Sequence, residues 1–202
     1  MPTTATPNIL TDPGYLFWAP LATAEPTNTV AGSKFTDAWP VAWKTLGATE
    51  DGSEFTYETT VEAINVAEFF DPIRYSTTER AGSFSFNLAD YTLFNLSRAF
   101  NGGGAAGATA GLVETVSGAT TTLLSSLRPV APGGEVRAMI GWESLDATAR
   151  LICYQTINSG SISAAYRKAP SFAVIPCTFN FEVPSSGFPW KMYTAGAARV
   201  GA

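Results

Sequence analysis

Alternating apolar and polar runs, one amphipathic helical stripe and glycine-marked turns predict a mainly β chain. The expected architecture is an antiparallel β-sandwich or partial barrel with one short flanking α-helix, an extended N-terminal arm and a long loop. The clearest alternation is 54–63. There Glu54, Thr56, Glu58, Thr60 and Glu62 fall on one side, and Phe55, Tyr57, Thr59, Val61 and Ala63 on the other. Side chains of a strand switch face at every residue, so this run predicts a wet acidic face backed by a packed one. A chain of 202 residues has the length of one domain with its own core, and 1–202 is read as a single unit.

The elements follow in order. Residues 1–13 hold Pro2, Pro7 and Pro13 among threonines, which suits an arm better than a packed element. Residues 14–19 form a compact apolar strand closed by Pro20. From 20 to 40 the composition turns to Thr, Ala, Pro and Asn, with Phe35 and Trp39 as isolated anchors. So long a loop inside a compact domain is commonly functional or disordered. A strand is expected over 41–47, turning at Glu50-Asp51-Gly52 to pair with the acidic strand, since Asp-Gly is a strong hairpin signal. Residues 80–88 alternate again, with Phe84, Phe86 and Leu88 opposed to Ser83, Ser85 and Asn87.

The helix is expected next, with Asp90 as N-cap and Leu93, Leu96, Ser97 and Phe100 as its apolar stripe. Arg98 complements its C-terminal end, and Gly102 suits the left-handed position beyond the cap. Residues 101–134 are rich in Gly, Ala and Thr and read as a surface insertion, with a weak hairpin around Ser117-Gly118. Strands return at 136–142, then at 150–157 and 161–168 flanking the turn Asn158-Ser159-Gly160. The strand at 172–183 carries Pro176, which implies an edge or a bulge. Residues 188–193 close the series.

Composition narrows the function. Charged residues make up 14% of the chain, well below the ~25% of ordinary domains, as expected of a subunit largely covered by copies of itself and equally of a secreted adhesin. The net charge of −5 and scattered basic residues argue against gripping nucleic acid. Seven acidic residues and no lysine or arginine lie between Thr45 and Pro72. Such a stretch is either an ordinary solvated sheet face or a surface that repels a polyanion. With no histidine, the commonest general base and metal ligand is missing, and no catalytic, cofactor or metal site is expected. Gly102 to Gly107 fits G-x-G-x-x-G by letter but follows a predicted helix and opens none, which argues against a dinucleotide loop. Cys153 and Cys177 are expected as free buried thiols, because 1–13 lacks the pattern of a secretory signal. No apolar run is long enough to span a membrane.

Several stretches together resemble the major tail protein, or tail tube protein, of siphophages, most closely those of phages infecting actinobacteria. They are Trp43-Lys44-Thr45-Leu46-Gly47 with Asp51-Gly52 and the acidic strand, Phe69-Phe70-Asp71-Pro72-Ile73, and the strand 84–88 entering the helix 90–100. The likeness continues through 136–142 with Glu143, 150–154, and the strand near Pro176. The resemblance implies a non-enzymatic virion protein forming hexameric rings that stack into a tail tube, made in the host cytoplasm. Its implied partners are further copies of itself, a tape measure protein, and tail terminator and distal tail proteins. Viral DNA would pass through without specific binding.

Glu54, Thr56, Glu58, Thr60 and Glu62 would then line the lumen. Pro7, Asn8, Ile9, Leu10, Phe35 and Trp39 would contact neighbouring subunits. Phe55, Tyr57 and Val61 would pack behind the wall against Leu93, Leu96 and Phe100. The resemblance implies that each of six subunits contributes four strands to a continuous inner barrel, and about 24 strands at ~4.8 Å spacing give a backbone diameter of ~37 Å, wide enough for a duplex. The alternatives are a β-sandwich adhesin or carbohydrate-binding module, and a capsid decoration or tail-terminator protein.

Overall fold

The computed structural model describes residues 13–65, 67, 69–102, 113–117, 123–127, 130, 132–162, 173–185 and 187–195. The chain is mainly β, with an antiparallel eight-stranded sheet that does not close into a barrel. Its strands run in the order β4 (Lys44–Gly47), β1 (Tyr15–Pro20), β9 (Ala138–Glu143), β10 (Ala149–Asn158), β11 (Ile175–Phe181), β6 (Arg74–Leu88) and β5 (Thr49–Ile64). The eighth, β12 (Trp190–Thr194), pairs with β10 at Ala149 to Cys153, while β11 takes the same side of β10 at Thr156 to Asn158. Two small hairpins lie apart from the sheet: β2 (Val30–Ala31) with β3 (Lys34–Phe35), and β7 (Val113–Ser117) with β8 (Leu123–Leu127). One helix, α1 (Leu93–Ala99), follows β6.

Strand parity builds the two cores. Leu16, Trp18, Ile140, Trp142, Leu151 and Cys153 face one side of β1, β9 and β10, and join Phe84, Phe86, Leu88, Cys177 and Phe179 in the main core. Phe17, Ala19, Met139, Ile152 and Tyr154 face the other way and form a second cluster with Trp39 and Trp43. Both cysteines are free and buried, as expected. Burial raises both thiol pKa values, that of Cys177 to about 12. Among the described residues, β11 at Pro176 has β6 on one side while β10 has already ended, a position that tolerates a residue without an N–H.

Several expectations are corrected. Strand β4 pairs with β1, not with the acidic strand, and β5 pairs with β6. Asp51 and Gly52 lie within a bulge of β5, between the pairs Thr49–Leu88 and Ser53–Phe86. Gly52 has φ +88°, a conformation that serves a bulge as readily as a turn. The segment 20–40 is not a loose loop but a strap over the second cluster, with β2 and β3 inside it. The strand expected at 161–168 falls largely outside the described residues.

The helix also differs. Thr92, not Asp90, is the N-cap, its hydroxyl accepting from the Asn95 amide at 3.1 Å. Asn101 takes the left-handed position at φ +56°, and Gly102 supplies the next bond, its N–H donating to the Ser97 carbonyl at 2.7 Å. Among the described residues no helix is long and apolar enough to cross a membrane.

Candidate functional site

The acidic strand β5 and its partner β6 form a hairpin that outgrows the sheet. β11 accompanies β6 only from Leu88 to Ser83, whereas the β5–β6 ladder continues to Ile64–Arg74. Residues 58–64 and 74–81 are exposed, so the outer part of the hairpin is a two-stranded arm.

Along one face of this hairpin stand Glu54, Thr56, Glu58, Thr60 and Glu62. Glu54, Glu58, Thr60 and Glu62 are exposed and Thr56 is half-buried. Their partners across the ladder are Ser85, Ser83, Ala81, Glu79 and Ser76. Glu79, which the sequence reading overlooked, therefore joins the acidic row beside Glu58 at the ~7–8 Å of a diagonal pair. Its signal lay in the cross-strand register, which single-strand alternation does not contain. The polar face continues onto β11 through Asn180 and Thr178, opposite Ser83 and Ser85. A shallow depression of about 470 Å³ opens there, lined by Thr56, Glu58, Glu79, Ser83 and Asn180 among others.

The opposite face is packed only at the root of the hairpin. Phe55 meets Phe181 and Trp190 at ring distances of 5.7 and 5.0 Å, and Tyr57 meets Trp190 at 5.5 Å. Val61, expected in the core, is exposed, because by that point the arm has left the sheet. Toward the tip Ile64, Phe69, Phe70, Ile73 and Tyr75 are exposed as well, Phe70 completely.

The helix is not the cover for Phe55. Its buried side chains include Asn95, Ser97, Arg98 and Ala99, while Leu96 is partly buried and Leu93 and Phe100 are exposed. Asn95 donates to the Leu46 and Asp90 carbonyls, both at 2.8 Å. The Arg98 guanidinium lies over the Trp18 ring at 3.5 Å, and burial lowers its pKa to about 10.

Phe35 and Trp39, expected at subunit contacts, are engaged within the chain. Trp39 stacks on Phe17 and donates to the Glu143 carboxylate. Phe35 is buried under the Arg150 guanidinium, 4.6 Å from its ring. Arg150, fully buried, is bonded to Glu143 at 2.8 Å and to Thr27, Asn28 and Asp37 of the strap. Glu25 accepts from the hydroxyls of Tyr154 and Tyr193. Burial, then the Glu25 carboxylate, raises the pKa of both phenols. These polar locks hold the strap to the sheet.

Pro7, Asn8, Ile9 and Leu10 lie outside the described residues. Pro13, the last residue of the expected arm, is tied to the core, its carbonyl accepting from Trp142 Nε1 at 2.8 Å. A scan against protein-family models and a search of curated proteins return no match to this chain.

Proposed function

We propose that this chain is a structural subunit of a siphophage tail tube, polymerising as stacked hexameric rings around a channel for DNA. The observation that carries the reading is the projecting β5–β6 arm, acidic along one face and apolar at its tip. Two strands alone are marginally stable in water, and exposed apolar clusters of this kind mark interaction surfaces. An arm so built gains stability when neighbouring copies cover it.

The outer edges of β4 and β5 support the same reading. Among the described residues neither edge has a further strand beside it, and an open edge is a template for pairing with another copy. In the proposed tube, Glu54, Glu58, Glu62 and Glu79 face the lumen. Their like charge keeps DNA from adhering, because binding needs cations that displace its counterions. Tape measure, tail terminator and distal tail proteins are the further partners of this reading, and the tail of the virion is its location. Electron microscopy of the purified chain tests it: hollow tubes or stacked rings are expected. Only dispersed small particles across a wide range of concentration would sink it.

A further inference from the structure

We infer that Gly82 and the aromatic rings around it form a positioning device that sets the direction in which the β5–β6 arm leaves the sheet. Gly82 stands at the point of departure. Its neighbour Ser83 still has a partner on β11, Asn180, whereas from Gly82 outward β6 is paired, among the described residues, with β5 alone. Opposite Gly82 is Tyr57. A Cβ at position 82 would come within 2.5 Å of Phe181 Cδ2 and 2.7 Å of Tyr57 Cδ2. Both rings therefore press onto bare backbone, and no larger residue fits without moving them.

The rings tie this point to the centre of the sheet. Tyr57 and Phe55 both meet Trp190 edge to face, at interplanar angles of 72° and 74°. Phe55 also touches Phe181. Trp190 belongs to β12 and pairs with Cys153 of β10, a central strand. Backbone hydrogen bonds within a two-stranded ribbon do not fix its angle to the parent sheet, since such ribbons twist widely. Contacts beyond the ladder must fix that angle, and edge-to-face rings have defined geometry. Phe181, Tyr57 and Trp190 supply them, closing on the slot that glycine leaves open.

From Tyr57 to Ile64 the arm reaches about 23 Å, so a tilt of about 10° at its root carries the tip about 4 Å. That displacement is large compared with the tolerance of a packed interface. Gly82→Ala should therefore misdirect the tip and abolish assembly while the sheet stays folded. This consequence rests on the assembly reading above; the geometry of the clamp does not.

The experiment measures the arm directly. Nitroxide labels are placed on Phe70→Cys and Val183→Cys, two exposed positions on tip and body, while the buried native thiols stay unlabelled. Labelled chain is diluted into unlabelled chain, so that only distances within one molecule are read. The parent should give one narrow distance, and Gly82→Ala a shift or spread of about 4 Å or more. Tyr57→Ala, which removes atoms from a half-buried position, should broaden it too and serves if Gly82→Ala does not fold. Distributions superimposable on the parent's in the folded variants would overturn the clamp. Microscopy of the unlabelled chains separates the two claims. A parent that never assembles sinks the tube reading and leaves the distance result standing, whereas unchanged distances in an assembling parent sink the clamp alone.

Discussion

Phe55 and Phe100 are both phenylalanines expected in the core, and their environments separate them. Phe55 packs on Phe181 and Trp190, whereas Phe100 is 40% exposed. Phe55→Ala should cost about 2–3 kcal/mol, below the full core value because its burial is partial. Phe100→Ala should cost less than about 1 kcal/mol, as exposed positions do. Urea denaturation of the dispersed subunit checks both, and equal costs would contradict the packing described.

Arg150→Ala should cost about 3–5 kcal/mol, because it strands the Glu143 carboxylate and unties the strap. Acid should act through three carboxyls held below their ordinary pKa: Asp37 by Thr29, Asp146 by Ser144 and Thr148, and Glu182 by Gln155 and Arg137. A depressed folded pKa contributes stability that is complete above the unfolded value and lost as pH falls through the folded one. The melting temperature should therefore fall once pH drops below those ordinary values, 4.5 for Glu182 and 3.8 for the aspartates. A flat melting curve from neutral pH to about 2 would contradict this. Asp146 is exposed and Asp37 and Glu182 are only partly buried, so the effect is expected to be small.

At the scale of the element, the arm is separable from the body. Among the described residues of 59–79 the only ladder is that between β5 and β6, so replacing the segment with a short turn should leave the far-ultraviolet signature and the unfolding midpoint of the body nearly unchanged. The same deletion should eliminate assembly in sedimentation and microscopy. Collapse of the body would show that the arm contributes to the core. The acidic row lends itself to charge reversal. Lysine at 54, 58 and 62 should preserve the fold, since exposed strand positions tolerate change. It should make the chain retain DNA at low salt and release it as salt rises. DNA retention unaltered by the three lysines would remove the electrostatic part of the proposed role. The strap behaves oppositely to the arm, because Arg150, Glu25 and Trp43 lock it to the sheet.

At the scale of the whole molecule, two apolar layers on opposite faces of one sheet make the body self-sufficient. Beyond that body the described residues present an arm with an apolar tip and two sheet edges with no further strand beside them, which the proposed assembly would cover. Low charge fits the same picture, since interfaces between copies are depleted in it. Assembly should therefore stabilise the subunit by mass action, with the melting temperature rising with protein concentration. A concentration-independent transition would indicate that the arm and edges remain uncovered.

Much of this architecture was legible because it depends on parity along a single strand. The alternation of 54–63 and of 80–88 determined which residues could face water, and Phe84, Phe86 and Leu88 are buried as their spacing required. Pro176 pointed to an edge or a bulge for the equally local reason that it has no N–H, and among the described residues it has β6 alone beside it. The sequence did not determine where a strand ends its partnership with the sheet. Val61 obeys the same alternation as Phe55, yet it is exposed because β11 stops short of it.

Nor did it determine which strand β4 would join, or which face of the helix would be buried. Asn95 and Arg98 are covered because Leu46 and Trp18, distant along the chain, supply the acceptor and the ring that make burial tolerable. The strap likewise depends on Arg150 and Tyr154, more than a hundred residues beyond the segment they hold. Periodicity records the environment that one strand prefers. The price of burying a polar group is set by partners that only the tertiary structure brings into reach.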